Sequence, residues 1–482
     1  MLYSEILLNG LINKGEVAII CDDIVYTYKE LIYEVDKIAL GLSKEGIKKN
    51  SKVMVLVEDP VQFTKLIFAI NKIKAVCIPI YGKTGKDKIV QIIDKYDINF
   101  IIKSDDWNIE QLPYPYVKLQ NSIIIYKYSK KIDNTIDNVE LILFTSGTTS
   151  IPKAIMLSND NIISNVLSIS EYIKPSLNDK IFLIKNLSHS SSIIGELFVG
   201  IRSGCTIVMT KKLPITSTIL KIMQKEKITI FFSIPTLLVG IIKYPKIGEY
   251  NFENLRIINF YGSKMSKENI LKLIKIFPYS NIIYSYGLTE ASPRVTYIEK
   301  KDLILKLGSS GKPIRNVQVK IENKTGEYVN GYEVGEIVVS GPNVMQGYYK
   351  DFEKTKETIH SGKLFTKDMG YIDDDGFLFV NGRKDNMFIS AGKNIYPEEI
   401  ENVLSSYSDI QEALVKCISN ESGIARIWAY VKMVDNKELD KNDIFKYCKL
   451  NLENYKIPYK IIAVKELKKT PTGKIMRSQQ YN

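Results

Sequence analysis

Residues 52–80 read KVMVLVEDPVQFTKLIFAINKIKAVCIPI, and this stretch decides the fold class. Lys52–Val57 is apolar, rich in β-branched residues, and ends at Glu58-Asp59-Pro60. Pro60 suits the first position of a helix, where its missing N–H costs nothing and its fixed φ is already helical. Phe63, Ile67, Ile70 and Ile73 then recur at helical spacing, and Val76–Ile80 is a second short apolar strand. Strand, helix and strand in this order form a βαβ unit and imply a parallel sheet.

Outward from this unit the pattern repeats through Lys86–Lys95 and Ile98–Lys103. It returns at Ile228–Ser233, Pro235 and Leu237–Ile242, which reads as a buried strand and a core helix. Ile228–Ile242 is the longest apolar stretch, but Ser233, Pro235 and Gly240 break it and it is too short for a membrane span. After Gly308 the texture changes to short strands such as Val317–Ile321 and Glu336–Val339 between Gly, Asn and Asp turns, an antiparallel β subdomain. Asn381–Asp385 is a polar break. Beyond it Tyr396-Pro397-Glu398-Glu399 opens a helix, with strands expected near Ala413–Ile418 and Ile424–Val434 and a helix near Lys441–Leu452. The expected architecture is α/β. A large N-terminal domain of parallel-rich sheets flanked by helices, with a β subdomain, spans residues 1–382; a hinge follows at 383–386 and a small α+β domain at 387–482.

Composition narrows the function classes. The chain has 482 residues, 45% hydrophobic and 25% charged, which excludes a disordered chain, a collagen-like repeat and a pure coiled coil. Lys and Arg exceed Asp and Glu by 66 to 54, a net charge of +12. The lysines are scattered, as in Glu45–Lys52 and Lys300–Lys306, with no interleaved aromatics, so a small anionic ligand is expected rather than nucleic acid. Cys21, Cys77, Cys205, Cys417 and Cys448 make no C-x-x-C pair and no disulfide framework. With only His189 and His360, a His-rich zinc or iron site has little to draw on. Met1–Gly10 lacks the basic and apolar regions of a signal peptide, and the expected location is cytoplasmic.

Four stretches carry chemistry. Leu141–Lys153, LILFTSGTTSIPK, runs an apolar strand into hydroxyls, a glycine and a lysine, which is equipment for holding phosphate oxygens. It lacks the second glycine beside the lysine that a Walker A loop needs, and an ordinary Ser/Thr-rich turn has the same composition. Tyr284–Glu290, YSYGLTE, places an aromatic, a glycine, a hydroxyl and a carboxylate at a strand end, suited to a base, a phosphate and Mg²⁺. Asp368 and Arg383 lie either side of an expected β-hairpin and can hold ribose hydroxyls by charge-assisted bonds, or pair with each other at the surface. Pro471-Thr472-Gly473-Lys474 puts a lysine on a glycine turn.

In order and spacing these stretches resemble the acyl-adenylate-forming superfamily, which includes acyl-CoA synthetases, peptide-synthetase adenylation domains and luciferases. The resemblance covers essentially the whole chain, from Tyr26–Leu31 through Gly335-Glu336-Ile337, Gly347-Tyr348-Tyr349 and Leu378–Tyr396 to Ile457-Pro458 and Pro471–Lys474. It implies that Thr145, Ser146, Gly147, Thr148, Thr149 and Lys153 clamp the β- and γ-phosphates of ATP, and that Tyr286 stacks on adenine in a pocket lined by Gly262 and Ser263. Thr289 would contact the α-phosphate, Glu290 would bind Mg²⁺, and Asp368 and Arg383 would hold the ribose. Lys474 would bridge the substrate carboxylate and the α-phosphate, Asp385 would be the hinge of a mobile C-terminal domain, and Ser390, Ala391 and Gly392 would line the pantetheine tunnel. The sequence departs from the family pattern at Ser150, Ala154 and Lys367, where glycine is usual.

The acid and its acceptor come last. Asn186-Leu187-Ser188-His189-Ser190 contains no acid to pair with an α-amino group, and His189 resembles the histidine of acyl- and aryl-CoA ligases. Ser190, Gly195, Tyr261, Gly287 and Arg294 are the candidate acyl-pocket walls. The leading expectation is a ligase that joins a carboxylic acid to CoA through acyl-AMP, using ATP and Mg²⁺. The alternatives are an adenylating enzyme that loads a carrier-protein phosphopantetheine, served by the basic surface, and a nucleotide-binding protein without ligase activity.

Overall fold

The computed structural model describes residues 2–12, 16–82, 84–104, 115–119, 123–128, 136–144, 152–390, 393–419, 425–434, 437–469 and 475–477. The βαβ unit forms as its sequence dictates: strand Lys52–Leu56, helix Pro60–Lys72 and strand Val76–Pro79, with the two strands parallel. Asp59 starts the helix by accepting from the backbone N–H groups of Val61 (2.9 Å) and Gln62 (3.0 Å), which satisfies two of the donors a helix start leaves open. The helix is buried on nearly every side, from Val61 and Phe63 to Ile70 and Asn71, because the helix Tyr28–Lys44 packs on its outer face.

Two large sheets result. One has eight strands, with Lys52–Leu56 at its centre beside Val76–Pro79 and Phe100–Ser104, all parallel. The other has nine; Lys180–Leu183, Thr206–Met209, Ile230–Ser233, Ile257–Tyr261 and Asn281–Gly287 run parallel within it. The helical run Ser190–Arg202 lies against both halves, and Phe198 meets Phe68 of the first half at 5.5 Å between ring centroids. One apolar core cluster accordingly contains residues of both sheets.

The antiparallel β region after Gly308 is present, with Gln318–Glu322, Gly335–Ser340 and Lys363–Ile372 as neighbours. It is not self-contained. Lys312–Pro313 pairs with the nine-stranded sheet and Gly347–Tyr348 with the eight-stranded one, so the region is stitched to both. Past Arg383, helix Pro397–Ser406 and helix Lys441–Asn451 pack with strands Ile410–Ser419, Ala425–Met433 and Lys460–Ala463 around a separate core cluster. No helix among the described residues is long and apolar enough to cross a membrane.

Candidate active site

Strand pairing builds the first corner of the site. In the hairpin of Lys363–Ile372 with Leu378–Arg383, Asp368 stands directly opposite Arg383. Arg383 Nη1 donates to Asp368 Oδ1 (3.1 Å) and to the Thr366 carbonyl (3.0 Å). Tyr286 reaches in from the end of Asn281–Gly287 and donates its hydroxyl to Asp368 Oδ2 (2.5 Å). Burial, with the Asp368 charge adding, holds the Tyr286 phenol well above its ordinary pKa, so it remains a donor. Arg383 and Tyr286 thus meet different oxygens of Asp368, and a carboxylate has about four lone-pair positions. Gly262, just past strand Ile257–Tyr261, sits at φ +91°, a conformation that excludes side chains with little cost only for glycine, and Ser263 beside it is exposed.

The second corner depends on register across the eight-stranded sheet. Tyr348 lies opposite Ile155 in the antiparallel pair with Ala154–Ser158, so its ring falls next to Lys153, whose Nζ is 5.2 Å from the ring centroid. The Tyr348 hydroxyl donates to Glu290 Oε1 (3.0 Å). Burial and then the Glu290 charge push that phenol's pKa up, while burial and the neighbouring Lys354 push Lys153 down. Thr289 Oγ1 lies 3.3 Å from Ser190 Oγ, at the start of the helical run. The Thr289–Arg294 loop is clamped from behind by two buried amides. Asn165 and Asn343 each donate to the carbonyls of Ala291 and Arg294. Among the described residues no three of His, Cys, Asp and Glu gather as a metal-binding group. A single carboxylate among hydroxyls fits Mg²⁺, which is commonly held by one or two carboxylates together with substrate phosphates and waters.

The third corner is charged and deep. Tyr261 donates to Glu196 Oε1 and accepts from Lys185, and Lys185 Nζ is 2.6 Å from the same Glu196 oxygen. Glu196 is fully buried and Arg294 is 2% exposed. The Arg294 guanidinium lies over the Tyr261 ring, its Cζ 3.7 Å from the ring centroid, and a Cβ on Gly195 would come within 3.3 Å of its Nη2. Burial pushes Lys185 down to about 8 although Glu196 opposes the shift. Gly287 stands opposite Arg294 in the strand register, and a Cβ there would overlap the Pro293 carbonyl at 1.8 Å, so only glycine fits. His189 precedes Ser190 and lies near Tyr81, with ring centroids 6.1 Å apart and the rings tilted by 34°.

The structure therefore brings together Lys153, Thr289, Glu290, Ser190 and His189 on one side and Tyr286, Asp368 and Arg383 on the other. Thr145, Ser146, Gly147, Thr148 and Thr149, Ala391 and Gly392, and Lys474 lie outside the described residues, as does the side chain of Ser390. Exposed Asp385 is held by Lys367 Nζ (3.3 Å) and Arg383 Nη2 (3.6 Å). Lys367 itself adopts φ +61°, the left-handed region that favours the family's glycine. Sequence reasoning assigned no role to Tyr348, Lys185 or Glu196. Tyr348 had a signal, a buried phenol that must find a partner; Lys185 and Glu196 had none in spacing. The absence of an acid around His189 also needs qualifying, because Glu196 lies about two turns further along the helical run, paired with Lys185.

The chain matches the family model for AMP-binding enzyme over residues 12–349 and that for the AMP-binding enzyme C-terminal domain over residues 399–474. It is 29% identical over 463 residues to a 2-succinylbenzoate–CoA ligase of Oceanobacillus iheyensis, covering 94% of this chain and 93% of that protein. It is 26% identical over 507 residues to a putative acyl-CoA synthetase, YngI, of Bacillus subtilis, covering 94% and 91%. Among solved structures, the o-succinylbenzoate CoA synthetase of Bacillus subtilis in complex with its acyl-adenylate superposes with a TM-score of 0.85 at 24% identity, covering 98% of this chain and 97% of that one. At that identity the likeness speaks to the fold.

Proposed function

Because the chain belongs to the AMP-binding enzyme family, we propose that it is an ATP-dependent ligase that joins a carboxylic acid to the thiol of CoA through an acyl-adenylate. A carboxylate oxygen attacks the α-phosphorus of ATP and the bond to pyrophosphate breaks. The CoA thiol then attacks the carbonyl carbon of the mixed anhydride, its proton is lost to solvent, and AMP leaves. The first step brings anions together, so catalysis is alignment and charge neutralisation, with no protein nucleophile. Mg²⁺ at Glu290 supplies part of that charge when bound.

The single observation that carries the reading is the contiguous chain Lys153–Tyr348–Glu290, with Thr289 and Ser190 beside it. It sets a cation, a carboxylate and two hydroxyls where phosphates and an attacking carboxylate can meet. Tyr348 orients the Glu290 carboxylate, and Tyr286, Asp368 and Arg383 hold the nucleoside. Thr145–Thr149 complete the phosphate clamp, Lys474 aligns the two anions, His189 closes the acyl side, and Ser390–Gly392 line the thiol tunnel. Residues 1–382 form the adenylating domain and 387–482 the small domain, which turns about 383–386 with Asp385 at its centre between the two half-reactions. The reaction is placed in the cytoplasm, where its two nucleotide cofactors are found.

The test is acid-dependent release of pyrophosphate from ATP over a panel of alkyl, aryl and dicarboxylic acids, including 2-succinylbenzoate because curated relatives carry that name. AMP and a CoA thioester are expected in equal amounts. A thioester formed only on a phosphopantetheinylated carrier protein would reassign the acceptor, and no release with any acid would overturn the ligase reading.

A further inference from the structure

Asn343 is more deeply buried than its bonding warrants. It is 1% exposed, and its Oδ1 has no hydrogen-bond partner among the described residues. Its Nδ2 donates to the carbonyls of Ala291 and Arg294, both at 3.1 Å. Fully buried Asn165 already serves those two carbonyls, at 3.3 and 2.9 Å, and its Oδ1 accepts from the Arg294 N–H at 3.2 Å. One donor satisfies a buried carbonyl, so the fold gains little from the second amide. The orphaned Oδ1 meanwhile costs the desolvation of a polar atom. A buried group that stability does not call for directs attention to what it positions.

What Asn343 adds is a tie between two segments. The segment from Pro342 to Tyr349 meets Glu290 in three ways: Asn343 holds the carbonyl of the next residue, Ala291, the Met345 N–H donates to the Glu290 carbonyl (2.9 Å), and the Tyr348 hydroxyl donates to its carboxylate (3.0 Å). The same segment is bonded to the strand that starts one residue after Lys153, through Gln346 N–H to Met156 (3.0 Å) and Tyr349 N–H to Ala154 (2.8 Å). Its entry is fixed by Asn161, whose Nδ2 donates at 2.8 Å to the carbonyls of Pro342 and Val344, on either side of Asn343. Asn161 and Asn165 are four residues apart in the helix Asn159–Ile173 and so share one face of it. One helix face therefore holds both the loop that carries Thr289 and Glu290 and the segment that spans from that loop to the Lys153 strand.

We propose that Asn343, anchored by Asn161, is a positioning residue for adenylation: it sets the distance and angle at which Thr289 and Glu290 stand against Lys153. It touches no reacting atom and acts through Glu290. Stabilisation by preorganised charge depends on where the groups stand before the reaction, and a misplacement of about 1 Å can cost roughly 100-fold. The nucleoside corner does not draw on this tie, because Tyr286, Asp368 and Arg383 engage one another and the Thr366 carbonyl. The tie therefore governs the rate of adenylation and leaves the affinity for the nucleotide alone.

This inference rests on the ligase reading, and wild type and variant separate the two. Asn343→Leu keeps the branched shape, removes the orphaned oxygen and leaves both carbonyls to Asn165. In the full-length protein its denaturant midpoint and its affinity for ATP by calorimetry are expected to match wild type. Its kcat for acid-dependent pyrophosphate release is expected to fall by about 10- to 100-fold with KM for ATP unchanged. Thioester formation from supplied acyl-adenylate should be nearly unaltered. If Asn343→Leu does not fold, Asn161→Asp takes its place. That change keeps the oxygen that accepts from the Ser158 N–H at the helix start and loses the amide that fixes the Asn343 segment, so the same split is expected. A normal kcat in the folded variant, a defect confined to KM for ATP, or an equal loss of both half-reactions with a lowered midpoint would overturn the inference and leave the ligase standing. Pyrophosphate release by the wild type with none of the acids would overturn both.

Discussion

The corner proposed for the nucleotide and the corner proposed for the acyl group are built on opposite principles. At the nucleotide corner Tyr286, Asp368 and Arg383 hydrogen-bond one another before any ligand arrives, and the Arg383 side chain is partly exposed. At the acyl corner Glu196, Tyr261 and Arg294 are buried and Lys185 is half-buried, and Arg294 Nε and Nη2 and Glu196 Oε2 have no hydrogen-bond partner among the described residues. A corner that meets the same nucleotide in every turnover can be assembled in advance. If the second corner receives the acid as proposed, a buried group left unsatisfied there penalises any ligand that fails to pair it.

The largest expected effect lies in the acyl corner. Lys185→Met strips the partner from a fully buried Glu196 and should lower stability by about 3–5 kcal/mol, whereas Lys185→Met with Glu196→Leu should return most of it. Denaturant unfolding measures both, and a mild single mutant would show that the corner is not a tightly coupled unit. Glu290→Gln keeps size but removes the charge proposed to ligate Mg²⁺; adenylation should fall on the order of 100-fold or more, several kcal/mol of transition-state stabilisation. Its circular dichroism should be unchanged, and near-normal rates at low Mg²⁺ would take Glu290 out of the site.

Tyr348→Phe removes one hydrogen bond to a charged oxygen, about 1.5 kcal/mol, so adenylation should drop roughly tenfold with a raised Mg²⁺ requirement. An unaltered Mg²⁺ dependence would make Tyr348 a packing residue only. The smallest effect belongs to Lys367→Gly. Relief of a left-handed lysine should stabilise the fold by about 1 kcal/mol, partly offset by loss of the exposed Lys367–Asp385 pair, which is worth ~0–1 kcal/mol. A lower melting temperature would show that the ion pair outweighs the strain.

These two corners also divide what could be read in advance. Tyr286, Thr289 and Glu290 share one short stretch, and Asp368 and Arg383 flank one hairpin, because a strand end and a two-stranded register place neighbours in sequence on the same ligand. Local periodicity alone determined the βαβ unit, its helix start at Asp59-Pro60 and the α+β texture beyond residue 387, since hydrophobic spacing and capping act over one or two turns. Tertiary structure decided the rest. Tyr348 reaches Lys153 and Glu290 only through an antiparallel pairing of Gly347–Tyr348 with a strand nearly two hundred positions earlier. Lys185, Glu196, Tyr261 and Arg294 come from different elements, and nothing in their spacing marks them as partners. The positive φ of Lys367 likewise became visible only once its strand was in place. Charge and burial are properties of the assembled core: the sequence states which residues carry a charge, and only the packing of distant segments determines which of those charges are left without a counterpart.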